Sequence, residues 1–539
     1  MRILITGWAQ PNLSAFLGAR LPRIWAVSLL VGILAGIASI AFREAIGYVQ
    51  WIWSNEHSEN LASAARRVAW YYVFFAPIAG GLVVGFILHR FIPARRAGGV
   101  SDVIETRALG GRTLSTEAGL WSGLVSAISL GSGASAGREG PMVHLAATIT
   151  GWINDRFSLP DWGKRTLLAA GVASAVSASF NAPIAGVLFA HEVILGHYAM
   201  RSFVPIVIAS VSGGVLSRQW FSEASAFDIP SYTIESYLEF PAFALLGVAC
   251  AAVAITFQLS LISADYAARR ITLPLWLRPA IGGVAIGAMG VFLPEILGVG
   301  YEPTDQALKG QFTLQFLLLL LVAKTAATAI TLASRFGGGI FSPSLYLGAM
   351  TGGAFGMITA SILPEFASAP GLYATLGMGA VAAAVIGAPI STVVIVFELT
   401  GGYAITIALL LTVSIAVGLN QAIHGRSFFE WQLESRGLFV HDGPHKYLVK
   451  RTRVREFMRL QETQEDEDAP TYDPDLGTPF LVPTDTLEKA LRLFDGGGHT
   501  TLPVLENSQS EKILAWADQT RALAFFNRAL IDASVEEHR

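Results

Sequence analysis

Glu139 and Arg138 are the residues from which any chemistry in this chain has to be built. They lie in Gly131-Ser132-Gly133-Ala134-Ser135-Ala136-Gly137-Arg138-Glu139-Gly140-Pro141, between an apolar stretch at 120–130 and a weakly polar one at 142–153. A carboxylate and a guanidinium thus sit at membrane depth. An ionised side chain there costs about 2.5–3.5 kcal/mol on insertion scales, so its default reading is functional. Four glycines let the backbone break and run extended, and Pro141 suits the first turn of a new helix. A helix broken inside a membrane exposes unpaired N–H groups at a positive dipole end. Those donors need water, protein or an anion. The chemistry suggested is anion binding beside a titratable glutamate. The alternative is a glycine-rich packing turn with Arg138 and Glu139 paired internally.

Holding such a loop at that depth takes membrane helices on both sides of it. The chain has 539 residues, 53% hydrophobic and 14% charged, against about 25% charged in an average soluble domain. Mean hydropathy is +0.51, and apolar stretches recur from Ile24 to Ala422. The expectation is an all-α polytopic membrane protein. A net charge of −3 gives no sign of a nucleic-acid partner, and the single Cys250 excludes a disulfide or cysteine-based metal site within one chain. Residues 1–23 carry Arg2, Arg20 and Arg23 and no cleavage site, and read as a cytoplasmic segment rather than a signal peptide. His89, Arg90, Arg95 and Arg96 follow the second predicted span, and the positive-inside rule puts them in the cytoplasm too.

Helices are predicted over 24–49, 68–92, 116–130, 142–153, 166–180, 184–196 and 203–221. A second series follows at 241–269, 278–293, 314–332, 343–362, 372–385, 389–400 and 404–422. Ser101 or Asp102 reads as the N-cap of a further short helix. Several segments fall short of the about 20 residues a crossing needs. Short segments interrupted by Gly and Pro mark re-entrant helices in transporters.

The two halves repeat. Ala127-Ile128-Ser129-Leu130 returns as Ala329-Ile330-Thr331-Leu332, and at the same offset of 202 Gly137 meets Gly339, Glu139 meets Phe341 and Pro141 meets Pro343. A second set, Asn181-Ala182-Pro183-Ile184 with Glu192, returns as Gly387-Ala388-Pro389-Ile390 with Glu398, at an offset of 206. Two broken pairs at nearly one offset imply two structural repeats, with a substrate site at their interface near the bilayer midplane.

Gly137-Arg138-Glu139-Gly140-Pro141 resembles the gating-glutamate motif of the CLC family of chloride channels and proton/chloride exchangers. Gly339-Ile340-Phe341-Ser342-Pro343 is similar to that family's GxFxP loop, and Asn181-Ala182-Pro183 followed by Glu192 is a third match. The resemblance covers residues 24–433. It implies an inverted repeat of broken and re-entrant helices, and a homodimer in the lipid bilayer with one anion pathway per subunit. Chloride and other small anions are the implied transported ligands, with no cofactor. The implied gate is Glu139, and the implied anion-binding residues are Gly98, Gly99, Gly137, Arg138, Gly339, Ile340, Phe341, Ser342 and Phe429. Deprotonated, Glu139 competes with chloride; protonated, it swings away.

Three positions depart from the family pattern. The first anion loop, usually GSGIP, aligns without gaps to Ala97-Gly98-Gly99-Val100-Ser101, so Gly98 stands where a serine is expected. Phe429 stands at the position of a central tyrosine. Losing both hydroxyl donors, each worth about 0.5–1.5 kcal/mol net, weakens the central site without abolishing it. Val193 stands where exchangers keep an internal proton-transfer glutamate, which leaves Glu139, Glu192 and His191 as proton-path candidates.

Other features read more plainly. Glu192 and Glu398 are repeat-equivalent and also read as structural caps. His144, His191 and His197 have no carboxylate or cysteine at ligand spacing and read as structural histidines. Gly133-Ala134-Ser135-Ala136-Gly137 has the look of an intramembrane serine-protease loop but lacks the glycine after the serine, so an enzyme is a remote alternative. No GxxxxGK[ST] loop is present to cradle the phosphates of an ATP-driven pump.

Composition shifts after Leu433. Residues 434–479 join a basic stretch (His445, Lys446, Lys450, Arg451, Arg453, Arg455), suited to anionic lipid, to an acidic linker from Gln461 to Pro479. Residues 480–539 resemble one CBS motif, whose opening is Val454-Arg455-Glu456-Phe457-Met458. Strands are predicted at 480–482 and 502–505, and helices at 487–494 and 520–530. The resemblance implies a small cytoplasmic α/β domain, serving as a dimerisation cap or, more weakly, as an adenine-nucleotide site. Together these readings predict channel-like chloride transport gated by Glu139, in a bacterial inner membrane with both termini cytoplasmic. Proton/chloride antiport by an atypical inner proton path is the alternative.

Overall fold

The computed structural model describes residues 12–14, 18, 21–57, 60–108, 114–157, 159–221, 227, 229–230, 232–365, 367–438, 449, 452–460, 472, 478–507 and 512–538. Most of the N-terminal segment, the basic juxtamembrane stretch and the acidic linker predicted above lie outside them. The chain divides into two compact units, Met1–Trp431 and Gln432–Arg539.

The first unit is helical. Its first half runs through Leu21–Ser54, Trp70–Arg90, Val100–Ala108, Thr116–Gly131, Glu139–Arg156, Asp161–Phe180, Pro183–Phe189 and Met200–Phe221. The second half repeats that series as Phe240–Arg270, Arg278–Phe292, Tyr301–Leu308, Leu314–Ala333, Phe341–Ile362, Pro370–Ile386, Pro389–Thr400 and Tyr403–Ile423. Eight helices among the described residues are long and apolar enough to cross a membrane.

A two-fold relates the halves, and the hydrogen bonds at their interface show it. Gly137 and Gly339 form an antiparallel bridge in which each N–H donates to the other's carbonyl at 2.7 Å. Ser129 Oγ accepts from Gly337 N at 2.9 Å, and its repeat-equivalent Thr331 Oγ1 accepts from Ser135 N at 3.1 Å. Reciprocal bonds between equivalent residues are the mark of a two-fold axis between repeats.

A third repeated pattern sets a close helix crossing. Pro77-x-x-Gly80-Gly81-x-x-x-Gly85 returns as Pro279-x-x-Gly282-Gly283-x-x-x-Gly287. The helices that carry them, Trp70–Arg90 and Arg278–Phe292, meet backbone to backbone. A Cβ on Gly81 would lie 2.6 Å from the Pro279 carbonyl, and one on Gly283 would strike the Pro77 carbonyl. Small residues let helices approach this closely where lipid supplies no hydrophobic drive between them.

Helix boundaries differ from expectation in several places. The helix after the glycine-rich loop begins at Glu139, not 142, so Pro141 is its third residue. Its counterpart begins at Phe341, not 343, with Pro343 third. Proline fits because the first N–H groups of a helix have no intrahelical partner in any case. The predicted 68–92 span is Leu61–Arg67 followed by Trp70–Arg90, with extended backbone at Val68 and Ala69 between. The predicted 184–196 helix ends in a π-helical turn, Ala190–Leu195.

The second unit has its own core, in which Val454, Phe457, Leu481, Phe494, Leu502, Val504 and Ala515 are buried. Arg459–Leu460, Thr501–Leu505 and Ile513–Asp518 form an antiparallel sheet with Ile513–Asp518 in the middle. Leu487–Gly497 and Gln519–His538 are helices. The predicted strand at 480–482 is a single bridge from Leu481 to Val504, because the backbone turns there: Val482 N donates to Asp485 Oδ2 at 2.9 Å. The central strand was not predicted. The whole is an all-α membrane unit with a small α/β tail.

Candidate functional site

The site is where two helix N-termini face each other across the Gly137–Gly339 bridge. Glu139 is the first residue of its helix, and Phe341 the first of the repeat-equivalent one. First-turn N–H groups have no intrahelical partner and carry the positive end of the helix dipole. The Glu139 carboxylate occupies that space. It is 4% exposed. A Cβ placed on Gly137 would lie 2.8 Å from Glu139 Oε2 and 3.1 Å from Ser342 N, so the carboxylate and the first turn of the second helix share one pocket.

Two hydroxyls hold the carboxylate. Ser342 Oγ donates to it, 2.6 Å from each oxygen, and Tyr301 Oη donates to Oε1 at 2.6 Å. Tyr301 opens the Tyr301–Leu308 helix behind Gly300, whose φ of +90° suits glycine alone. Arg138 donates Nη2 to Ser179 O at 3.3 Å and lays its guanidinium 4.6 Å from the Tyr301 ring centre. Phe341 packs against Phe180, with ring centres 5.2 Å apart. A cavity of about 250 Å³ reaches this cluster, lined by Arg43, Glu44, His57, Arg138, Tyr301 and Glu302 among others.

Beneath Tyr301 lies a fully buried lysine. Lys324 Nζ donates to Ile296 O at 2.9 Å and Gly298 O at 3.0 Å, with the Tyr346 ring centre 5.1 Å away. It thereby pins the loop that delivers Tyr301. Neither Tyr301 nor Lys324 was identified from sequence. The available signal was the repeat itself, since Gly98 returns as Gly300 at the offset of 202, which makes 300–301 the partner of the first anion loop.

The structure thus gathers Gly137, Glu139, Gly339 and Ser342 into one pocket, with Arg138, Ile340 and Phe341 on its flanking residues. Gly98 and Gly99 form a second group. Gly98 N donates to Ser122 Oγ at 2.7 Å and Gly99 N to Asp102 Oδ2 at 2.8 Å, while Asp102 also takes Arg96 Nη1 at 3.0 Å. Asp102 caps from within the first turn of Val100–Ala108, and Gly99 stands just before that helix. Phe429 is buried on the separate Phe428–Glu434 helix.

Glu192 and Glu398 are reciprocal caps. Glu192 accepts from Ile390 N at 3.0 Å, Ser391 N at 2.7 Å and Ser391 Oγ at 2.6 Å. Glu398 accepts from Ile184 N at 3.1 Å and Ala185 N at 2.7 Å. Each carboxylate closes the N-terminus of the other repeat's helix. Val193 follows Glu192 in the π-helical turn, and His191 bonds His197 O through Nδ1 at 3.0 Å.

The family model described as voltage gated chloride channel matches residues 80–421. A relative from Ralstonia nicotianae, named a ClcB-like chloride channel protein, is 35% identical over 394 residues, covering 72% of this chain and 91% of its own. The H(+)/Cl(-) exchange transporter ClcA of Cronobacter sakazakii is 32% identical, covering 74% and 87%. The fold is similar to the crystal structure of a slow cyanobacterial Cl-/H+ antiporter, with a TM-score of 0.70 at 22% identity over 78% of this chain and 99% of that one. It is also similar to a eukaryotic CLC transporter, with a TM-score of 0.66 at 20% identity over 95% and 89%. On the family match and these identities, the chain belongs to the voltage gated chloride channel family.

Proposed function

We propose that this integral, multi-pass membrane protein moves chloride and other small anions across the bilayer, and that Glu139 is the gate. One observation carries the reading: the Glu139 carboxylate lies against the first turn of the Phe341–Ile362 helix, held by the Ser342 and Tyr301 hydroxyls. That turn is the natural seat of an anion. Ionised, the carboxylate takes the donors an anion needs. Protonated, it is a weaker acceptor and can leave for the adjoining cavity, so chloride takes its place. Gly137, Arg138, Gly339, Ile340, Phe341 and Ser342 line this seat. Gly98, Gly99 and Phe429 belong to the other end of the path. The transport unit is residues 24–433, assembled as a homodimer without a cofactor. The tail at 480–539, opening at 454, is a structural cap.

Conduction is passive in this reading. Val193 carries no proton, and the Glu192 carboxylate is already taken by Ile390 and Ser391. The second reading is proton/chloride exchange, favoured by the exchange transporter from Cronobacter sakazakii among the relatives. Sealed liposomes under a chloride gradient separate the two. A reversal potential at the chloride equilibrium value, unmoved by a pH gradient, is expected. Uphill proton movement driven by chloride would replace the passive reading with exchange, and absence of chloride flux would overturn the function itself.

A further inference from the structure

The family pattern puts a serine where this chain has Gly98, and the space that serine would fill is taken. A Cβ built on Gly98 would run into the His144 ring, with Cδ2 and Cε1 at 2.5 Å and Nε2 nearer still. His144 comes from the helix that Glu139 opens, and Gly98 precedes the Val100–Ala108 helix that packs against it. The imidazole therefore occupies the space beside the Gly98 Cα, and a Cβ there would displace the ring.

His144 is buried, at 7% exposure, yet neither ring nitrogen is among the sealed polar atoms that lack a partner. No described residue hydrogen-bonds to the ring. The nearest main-chain donors are already engaged, Gly98 N by Ser122 and Gly99 N by Asp102. The charged groups whose fields reach the imidazole are Asp102 and Arg96, which pair with each other. A ring N–H that no protein group accepts from and that is not sealed off can donate to water or to an anion.

We propose that His144 is the side-chain anion ligand at the Gly98 end of the path, its ring N–H donating to chloride in place of the missing serine hydroxyl. The inference rests on the reading of the Gly98 loop as part of that path, but not on Glu139 being the gate. Gly98 is what makes room for the ring. A serine there would require the ring to shift.

Chloride titration calorimetry on the full-length, detergent-solubilised protein tests this without depending on flux. His144→Leu should weaken chloride binding about tenfold, the loss of one hydrogen bond to a charged group, while His144→Gln, which keeps an N–H donor, should stay within about threefold of wild type. Gly98→Ser alone should lose binding or yield, and Gly98→Ser with His144→Ala should recover to within about threefold. Should His144→Leu not fold, the glutamine variant and the double variant still decide. Wild-type binding in His144→Leu, or a double variant no better than His144→Ala, would overturn the proposal. A wild type that binds no chloride and carries no flux would overturn the proposed function and this inference with it.

Discussion

The two glycine loops related by the repeat, at 98–99 and 300–301, share a backbone plan and differ in the side chains around them. At the first, Ser122 accepts from Gly98 N and the His144 ring fills the space beside the glycine. At the second, the equivalent of Ser122 is Lys324, the equivalent of His144 is Tyr346, and the equivalent of Gly99 is Tyr301. A Cβ on Gly300 would meet the Tyr346 ring at 2.8 Å, just as one on Gly98 meets His144. The two-fold thus governs where helices start and how closely they pass, while side chains decide what each end does. One end sends a phenol onto the Glu139 carboxylate. The other leaves a glycine and an imidazole where hydroxyls are expected. The hydroxyls of Ser342 and Tyr301 both meet the Glu139 carboxylate.

The comparison breaks most visibly at Lys324. Replacing it with Met leaves the buried carbonyls of Ile296 and Gly298 without their donor. Each buried unsatisfied group costs about 1–3 kcal/mol. Ser122→Ala removes one acceptor from one N–H and should cost about 1 kcal/mol. Thermal unfolding in detergent should therefore rank Lys324→Met well below Ser122→Ala. A Lys324→Met protein as stable as wild type would mean that the ammonium is kept for its charge rather than for pinning the loop.

Tyr301→Phe sharpens the comparison with a smaller effect. The phenol donates to the ionised form of Glu139. In the proposed gating, losing that bond weakens the ionised, blocking form, so protonation opens the path at lower proton concentration. The midpoint of chloride flux against pH should move upward by about one unit, since a hydrogen bond to a charged group is worth about 1.5–3 kcal/mol. An unchanged midpoint would reduce Tyr301 to packing.

Much of this was legible in sequence because it is local or periodic. The spans followed from apolar runs, and the 137–141 and 339–343 loops from glycine, proline and one constant offset. The boundary errors at 142 and 343 had one cause, that proline sits inside the first turn as readily as at its start. What stayed hidden is long-range. Tyr301 and Glu139 stand 162 residues apart, and nothing in the spacing announces their bond. The same holds for Lys324, whose apolar helix gives no sign of the two carbonyls it faces. The Pro77 and Pro279 patterns were visible at the same offset and add a third pair to the repeat. Spacing along the chain likewise cannot show that the His144 ring fills the space beside Gly98, which precedes a different helix.

The central claim is that the Glu139 carboxylate closes the path by sitting in the anion's place. The most direct test is chloride flux through liposomes carrying Glu139→Gln, measured across a range of pH. The variant keeps the size of the side chain and removes its charge for good, so flux should be open and nearly independent of pH. Flux that keeps the wild-type pH dependence in Glu139→Gln would contradict the account and move the gate elsewhere.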